Sequence, residues 1–262
     1  MDTRPIGVFD SGVGGLSVLR EIKRLLPREN YIFVADQINI PYGGKTRSQL
    51  RLLTERITRF LVKKGAKMIV IACNTATCYA IEFLRRKFPS NIFVGTVPAI
   101  KPAARLSLNK TIVVLSTPAT ARSFYLKNLI RDNAAGIKVV NIGCPNLENL
   151  VEEGRINSPE IKILVTRYLK KAAPFRPDYI VLGCTHFPFL KGAIRESSPF
   201  RANTIDSGRA IARRVKNLLN TAGLENGRKA STVYYTTGNP KRFSEVASRL
   251  LGIKIRAKKL KI

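Results

Sequence analysis

Apolar runs of three to five residues alternate along this chain with longer stretches in which apolar side chains recur every three or four positions. The runs lie at residues 6–9, 31–35, 68–72, 92–95, 112–115, 138–142, 179–183 and 203–205, with a ninth at 232–236. Short continuous apolar runs, each followed by helical periodicity, predict an α/β fold with largely parallel sheets. Counted from their starts, the first four runs and the next four are offset by 106, 107, 111 and 111 residues. The chain therefore reads as two pseudo-symmetric α/β units facing a shared interdomain cleft. The ninth run has no counterpart and needs a sheet. This assigns residues 1–97 plus 208–262 to the first unit and 98–207 to the second, with "IDSG" as the return crossing.

The best local match between the units is "IVIACNT" (69–75) with "IVLGCTH" (180–186), which sets Cys73 opposite Cys184. The first runs also correspond, with Asp10 and Ser11 near Ser116 and Thr117. Ligands of parallel α/β sheets bind beyond the carboxyl ends of the strands, where all these polar residues fall. The stretch "IGVFDSGVGGLS" reads as strand, tight turn and helix. Its glycines match neither the dinucleotide fingerprint nor a P-loop, so a small ligand is expected there.

Bulk properties narrow the setting. A chain of 262 residues with 45% hydrophobic content builds ample core. Met1 is followed at once by Asp2, Thr3, Arg4 and Pro5, which predicts no signal peptide. No apolar run approaches the roughly 18 residues that a spanning helix needs. Four cysteines without C-x-x-C spacing predict free thiols in a reducing cytoplasm. The formal charge of +29 attracts anions and polyanions, but the basic residues are scattered over most predicted helices. Only the tail "IKIRAKKLKI" reads as a patch, and no nucleic-acid signature accompanies it. A general basic bias is expected, with nucleic acid bound at most weakly and without specificity.

Cys78 and Cys144 read as small buried hydrophobes. Cys73 and Cys184 differ, because Asn74 and Thr75 follow one and Thr185 and His186 the other, each at a strand-to-helix junction. A helix N-terminus lowers a thiol's pKa, so either could be nucleophile, metal ligand or base. Zinc held by Cys73, Cys78, Cys184 and His186 would follow no standard spacing, so no metal is expected. A Cys184–His186 nucleophile pair would need side chains at i and i+2 to converge, and would leave Cys73 without a role. His186 alone could also be a helix cap. Two bases on opposite faces of one substrate account for both thiols.

The stretches "IGVFDSGVGGLSVL", "PYGGKT", "IACNTAT", "STPATARSFY", "LVEEG", "VLGCTHFP" and "IDSG" resemble, in order, the cofactor-independent aspartate/glutamate racemase superfamily, and within it the glutamate racemase family. That resemblance implies conversion between L- and D-glutamate, supplying D-glutamate for peptidoglycan, with no cofactor. It implies catalytic thiols at Cys73 and Cys184, with Asp10 assisting the first and Glu152 and His186 the second. It places Asp10, Ser11, Tyr42, Gly43, Asn74, Thr75, Thr117, Thr185 and His186 around the substrate. The glycines would then act as a hinge that turns Asp10 and Ser11 into the cleft, with backbone donors exposed behind them. A homodimer is expected. The alternatives are an aspartate racemase, or a basic α/β module that binds an anionic metabolite or nucleic acid.

Overall fold

The computed structural model describes residues 1–226 and 230–262. The first half of the chain runs β1 (Ile6–Asp10), α1 (Leu16–Leu25), β2 (Tyr31–Ala35), α2 (Arg47–Lys63), β3 (Met68–Ile71), α3 (Asn74–Lys87) and β4 (Ile92–Gly95). It continues through α4 (Ile100–Leu106), β5 (Thr111–Ser116), α5 (Pro118–Arg122), α6 (Phe124–Asn133), β6 (Lys138–Gly143), α7 (Leu147–Glu152) and α8 (Pro159–Lys170). The remainder is β7 (Tyr179–Leu182), α9 (Lys191–Ser197), β8 (Asn203–Ile205), α10 (Gly208–Thr221), β9 (Thr232–Thr236), α11 (Pro240–Leu251) and β10 (Ala257–Lys259).

Two all-parallel sheets result, in the orders β10-β9-β2-β1-β3-β4 and β6-β5-β7-β8. The second sheet repeats the order 2-1-3-4 of the first, strand for strand as the sequence offsets pair them. After β8 the chain returns to the first sheet, where β9 pairs with β2 from Tyr31↔Thr232 to Ala35↔Thr236. At the crossing, the Ser207 hydroxyl donates to the Val97 carbonyl.

Strand ends matter for the site. β1 extends one residue beyond its apolar run, so Asp10 is itself paired, with Ala35. β3 and β7 each stop one residue earlier than predicted, which leaves Cys73 and Cys184 two residues past their strands. The basic tail is also not the free patch expected from its charge. Ile255 and Leu260 are buried, and β10 between them pairs with β9 along the sheet edge.

Both faces of each sheet are covered, as continuous apolar strands require. Phe9, Val34, Ile69 and Ile71 meet Leu50, Ile57, Leu61, Ala80 and Leu84 of α2 and α3. Their strand neighbours Val8, Phe33, Met68 and Val70 point the other way, into a core with α1, α10 and α11. That core continues without a break into Leu115, Leu147, Val151, Leu182 and Phe187 of the second sheet and its helices. The cleft is therefore floored by one core that both sheets share.

At the opposite ends of the strands, Lys67 forms a fully buried ion pair with Glu29 (2.7 Å). Its Nζ also donates to the carbonyls of Asp2 (2.8 Å) and Leu224 (2.6 Å), while Glu29 Oε1 accepts from Asn226 N (2.8 Å). The pair thus ties the amino terminus and the returning chain to the start of β3. Replacing one partner strands the other charge in the core, so Lys67→Met should cost about 3–5 kcal/mol in urea unfolding. Glu29→Gln/Lys67→Met should recover a large share of that loss. A single variant with an unshifted urea midpoint would show that the pair carries no stability.

Candidate active site

A narrow cleft, with a cavity volume of about 20 Å³, lies between the carboxyl ends of the two sheets. Its lining includes Ser11, Tyr42, Gly43, Cys73, Asn74, Thr75, Thr117, Cys184, Thr185 and His186, all singled out from the sequence. So narrow a cleft has no room for a nucleotide, and its polar lining suits a small metabolite. A more open groove between α1 and α10, lined by Glu21, Arg24, Arg209 and Arg213, contains none of these residues.

Cys73 is the N-cap of α3 and its sulfur accepts from Ala76 N at 3.4 Å. Its other neighbour is the Ser11 hydroxyl, 3.8 Å away. Ser11 in turn donates to Asp10 Oδ1 at 3.3 Å, so the carboxylate reaches this thiol only through the hydroxyl. Asp10 itself is fully buried behind the cleft wall, where it also accepts from Gly12 N (2.9 Å) and the Thr185 hydroxyl (3.0 Å). Burial pushes its carboxyl above the ordinary range, partly offset by the nearby His186 charge.

The second thiol is served differently. His186 does not cap its helical turn through its side chain. Its Nδ1 lies 3.6 Å from Cys184 Sγ and its Nε2 lies 2.7 Å from Glu152 Oε1. The i and i+2 side chains therefore do converge, because the chain turns sharply past β7 into the short helix Phe187–Leu190. Glu152 is outside the cleft lining and is held by Val13 N (2.6 Å) and Gln37 Nε2 (2.7 Å). Burial pulls the imidazole's pKa down, but its bonds to Cys184 and Glu152, with their charges, outweigh this and hold it well above the ordinary value.

The helix N-terminus does not lower either thiol's pKa overall. Burial pushes Cys73 up, and the Asp10 charge adds to it, against a smaller opposing effect from Ala76 N–H. Cys184 is also raised by burial, with His186 offsetting part of the rise.

The glycines act by their size. Gly12 has φ −159°, extended backbone open to any residue, so no hinge conformation explains it. A Cβ there would lie 1.9 Å from Glu152 Oε1, and one at Gly14 would lie 2.5 Å from His186 Nδ1. At Gly15 a Cβ would meet Asp10 Cβ at 2.5 Å. Two backbone donors of this turn are also taken: Gly12 N by Asp10 and Val13 N by Glu152.

Tyr42 lines the cleft, but its hydroxyl is turned away, donating to Asp36 Oδ2 at 2.7 Å. The Thr75 hydroxyl bridges to Thr117 (2.9 Å) and Thr120 (3.1 Å), joining α3 to α5 across the cleft. Cys78 lies outside the cleft lining, and among the described residues no group of three or more His, Cys, Asp or Glu side chains is placed to hold a metal. Sequence reasoning missed Ile40, Pro41, Asp36, Thr120 and Glu148. Glu148 carried a signal: it lies one helical turn before Glu152, beside Leu147, Leu150 and Val151, all buried.

Comparison with known proteins places the chain among racemases. The family described as Asp/Glu/Hydantoin racemase matches residues 6–215. A glutamate racemase of Roseiflexus sp. is 41% identical over 250 residues, covering 94% of this chain and 92% of that protein. The crystal structure of a glutamate racemase isoform from Bacillus anthracis superposes with a TM-score of 0.89 at 29% identity, covering 100% of this chain and 99% of that one. One from Francisella tularensis in complex with D-glutamate gives 0.87 at 27% identity, covering 100% and 98%.

His186 is the only histidine, so its ring gives a single imidazole signal in a proton NMR titration. In the unaltered protein its midpoint should lie above the ordinary value of about 6.5. Glu152→Gln removes the anion that favours the imidazolium, so the midpoint should move down. An unchanged midpoint in that variant would mean that Glu152 does not hold the proton on His186.

Proposed function

The chain belongs to the Asp/Glu/Hydantoin racemase family, and we propose that it interconverts L- and D-glutamate by proton transfer between two thiols. The observation that carries this reading is the pair Cys73 and Cys184. They stand at equivalent points of a repeated fold and both line one small cleft. Inverting a carbon centre requires removing a proton from one face and returning one to the other. A thiol from each unit supplies both.

The α-proton of an amino acid is far less acidic than a thiol, so the planar carbanionic intermediate needs stabilising. The Asn74 amide lines the cleft for that purpose, with Thr75 and Thr117 beside it, while the Ser11 and Thr185 hydroxyls are spent on Asp10. An incoming α-ammonium brings positive charge between two neutral thiols and lowers the cost of ionising one of them. Ser11 relays between Asp10 and Cys73, and His186 relays between Glu152 and Cys184. Cys73 acts on D-glutamate and Cys184 on L-glutamate, as the family resemblance implies. The chemistry needs neither pyridoxal phosphate nor metal.

The product D-glutamate suits peptidoglycan synthesis, and four free cysteines suit a reducing cytoplasm. Among the described residues no helix is long and apolar enough to cross a membrane. The active species is a homodimer. Nucleic acid contacts the scattered basic surface only weakly, and that binding should fall steeply with added salt.

The test is chiral separation of products from L-glutamate, D-glutamate and both aspartates, without added cofactor and with chelator present. Glutamate should racemise, and in heavy water deuterium should enter mainly the product enantiomer, since one thiol keeps the removed proton while the other delivers solvent deuterium. Cys73→Ala and Cys184→Ala should each lower kcat by about 10²–10⁴-fold, the range for loss of a general base. Near-normal turnover in either variant would falsify the two-thiol assignment. A preference for aspartate would redirect the substrate, and loss on chelation restored by zinc would move the chemistry to a metal.

A further inference from the structure

We propose that Glu148 binds the substrate as a neutral carboxyl, donating a hydrogen bond to a carboxylate of the amino acid in the cleft. The inference rests on the glutamate reading above and extends it to a residue outside the two relays. Glu148 lines the cleft from α7 and is 7% exposed. Its Oε2 is buried without a hydrogen-bond partner among the described residues. The other three carboxylates around the site are all satisfied: Asp10 by Gly12, Ser11 and Thr185, Asp36 by Tyr42, Asn39 and Thr237, and Glu152 by Val13, Gln37 and His186. Of the four, Glu148 is the one left with a buried oxygen lacking a partner, and it lies beside Thr117 and Gly43, where a methyl on Gly43 would lie 3.7 Å from its Oε1.

A buried carboxylate with one oxygen left unpaired tends to keep its proton. Burial pushes Glu148 above the ordinary range and the Glu152 charge on its own helix adds to this, outweighing the hydrogen bond from its own backbone N–H and the His186 charge, which oppose it. The other titratable groups near it are Cys184 past β7, Cys144 past β6 and Tyr168 on α8, which bring no positive charge. None of the cleft-lining residues is lysine or arginine. A substrate with two carboxylates therefore meets a proton donor at Glu148, which ties its affinity to that proton. Below the carboxyl's raised pKa the donor is present; above it, a like charge faces the substrate.

The experiment measures KM and kcat for D-glutamate from about pH 6 to about pH 9 in the unaltered enzyme, Glu148→Gln and Glu148→Leu. Turnover by the unaltered enzyme tests the glutamate reading by itself, and the variants then test Glu148. KM of the unaltered enzyme should climb with pH. Glu148→Gln keeps a neutral donor, so its KM should stay within about 3-fold of the low-pH value and lose that climb, with kcat little changed. Glu148→Leu should raise KM about 10- to 100-fold across the range, the loss of a hydrogen bond to a charged group. Equal damage in both variants would overturn the proposal, because an ionised carboxylate holding the ammonium behaves that way. An unaltered KM in Glu148→Leu, or a pH climb that persists in Glu148→Gln, would overturn it as well.

Discussion

Everything at this site depends on how closely the turn at residues 12–15 can approach the second unit. Side chains of the second sheet's loops press directly against that backbone: Glu152 against Gly12, Thr185 and His186 against Gly14. Val13 N then donates to Glu152, and Ser17 Oγ reaches the carbonyl of Thr185 at 2.8 Å. One methyl group at Gly12 or Gly14 would occupy space already filled by a relay side chain. The aim of the imidazole at Cys184 is thus set by the backbone of the other unit, while the Thr75 bonds to Thr117 and Thr120 tie the two halves together at a second point.

The repeat supplies two equivalent thiols, but their surroundings are not equivalent. Cys73 sees its carboxylate through a neutral hydroxyl, and Cys184 through an imidazole already biased toward the cation. A thiolate beside an imidazolium costs less to form than one beside a serine near a buried Asp10. Under the proposed two-thiol chemistry the two directions of transfer would draw on different electrostatics, although the strands that present the thiols follow the same order and register. Pseudo-symmetry of backbone coexists with asymmetry of charge because the loops past the strands, unlike the strands, are free to differ.

Much of this was legible in the sequence, where each property was local or repeated. Apolar runs marked eight strands of the repeat and β9, and the offsets between runs paired β1 with β5 and β3 with β7. β10 escaped notice because its three residues carry two lysines, and a short edge strand needs little apolar sequence. The convergence of Cys184 and His186 was obscured because residue spacing alone does not reveal a turn into a short helix. The role of the glycines was misread for a similar reason: a sequence shows that side chains are missing, but not what occupies the space. Glu148 had a visible sign, an acid on the buried face of an amphipathic helix, yet only the cleft shows what that acid faces.

The chain's charge and the cleft's chemistry answer separate requirements. A net +29 spread over the surface draws an anionic amino acid toward the protein, and salt weakens that pull over about 8–10 Å. Inside the cleft a lysine or arginine would bind the same anion more tightly, but it would also stabilise a thiolate at rest. A thiolate so stabilised is a weaker base, and the proton it must remove is one of low acidity. Neutral hydroxyls, amides and a protonated carboxyl bind carboxylates without that penalty. Burial raises both thiols in that setting, and the asymmetry lies in what opposes it: the Ala76 N–H at Cys73 and the His186 imidazole at Cys184.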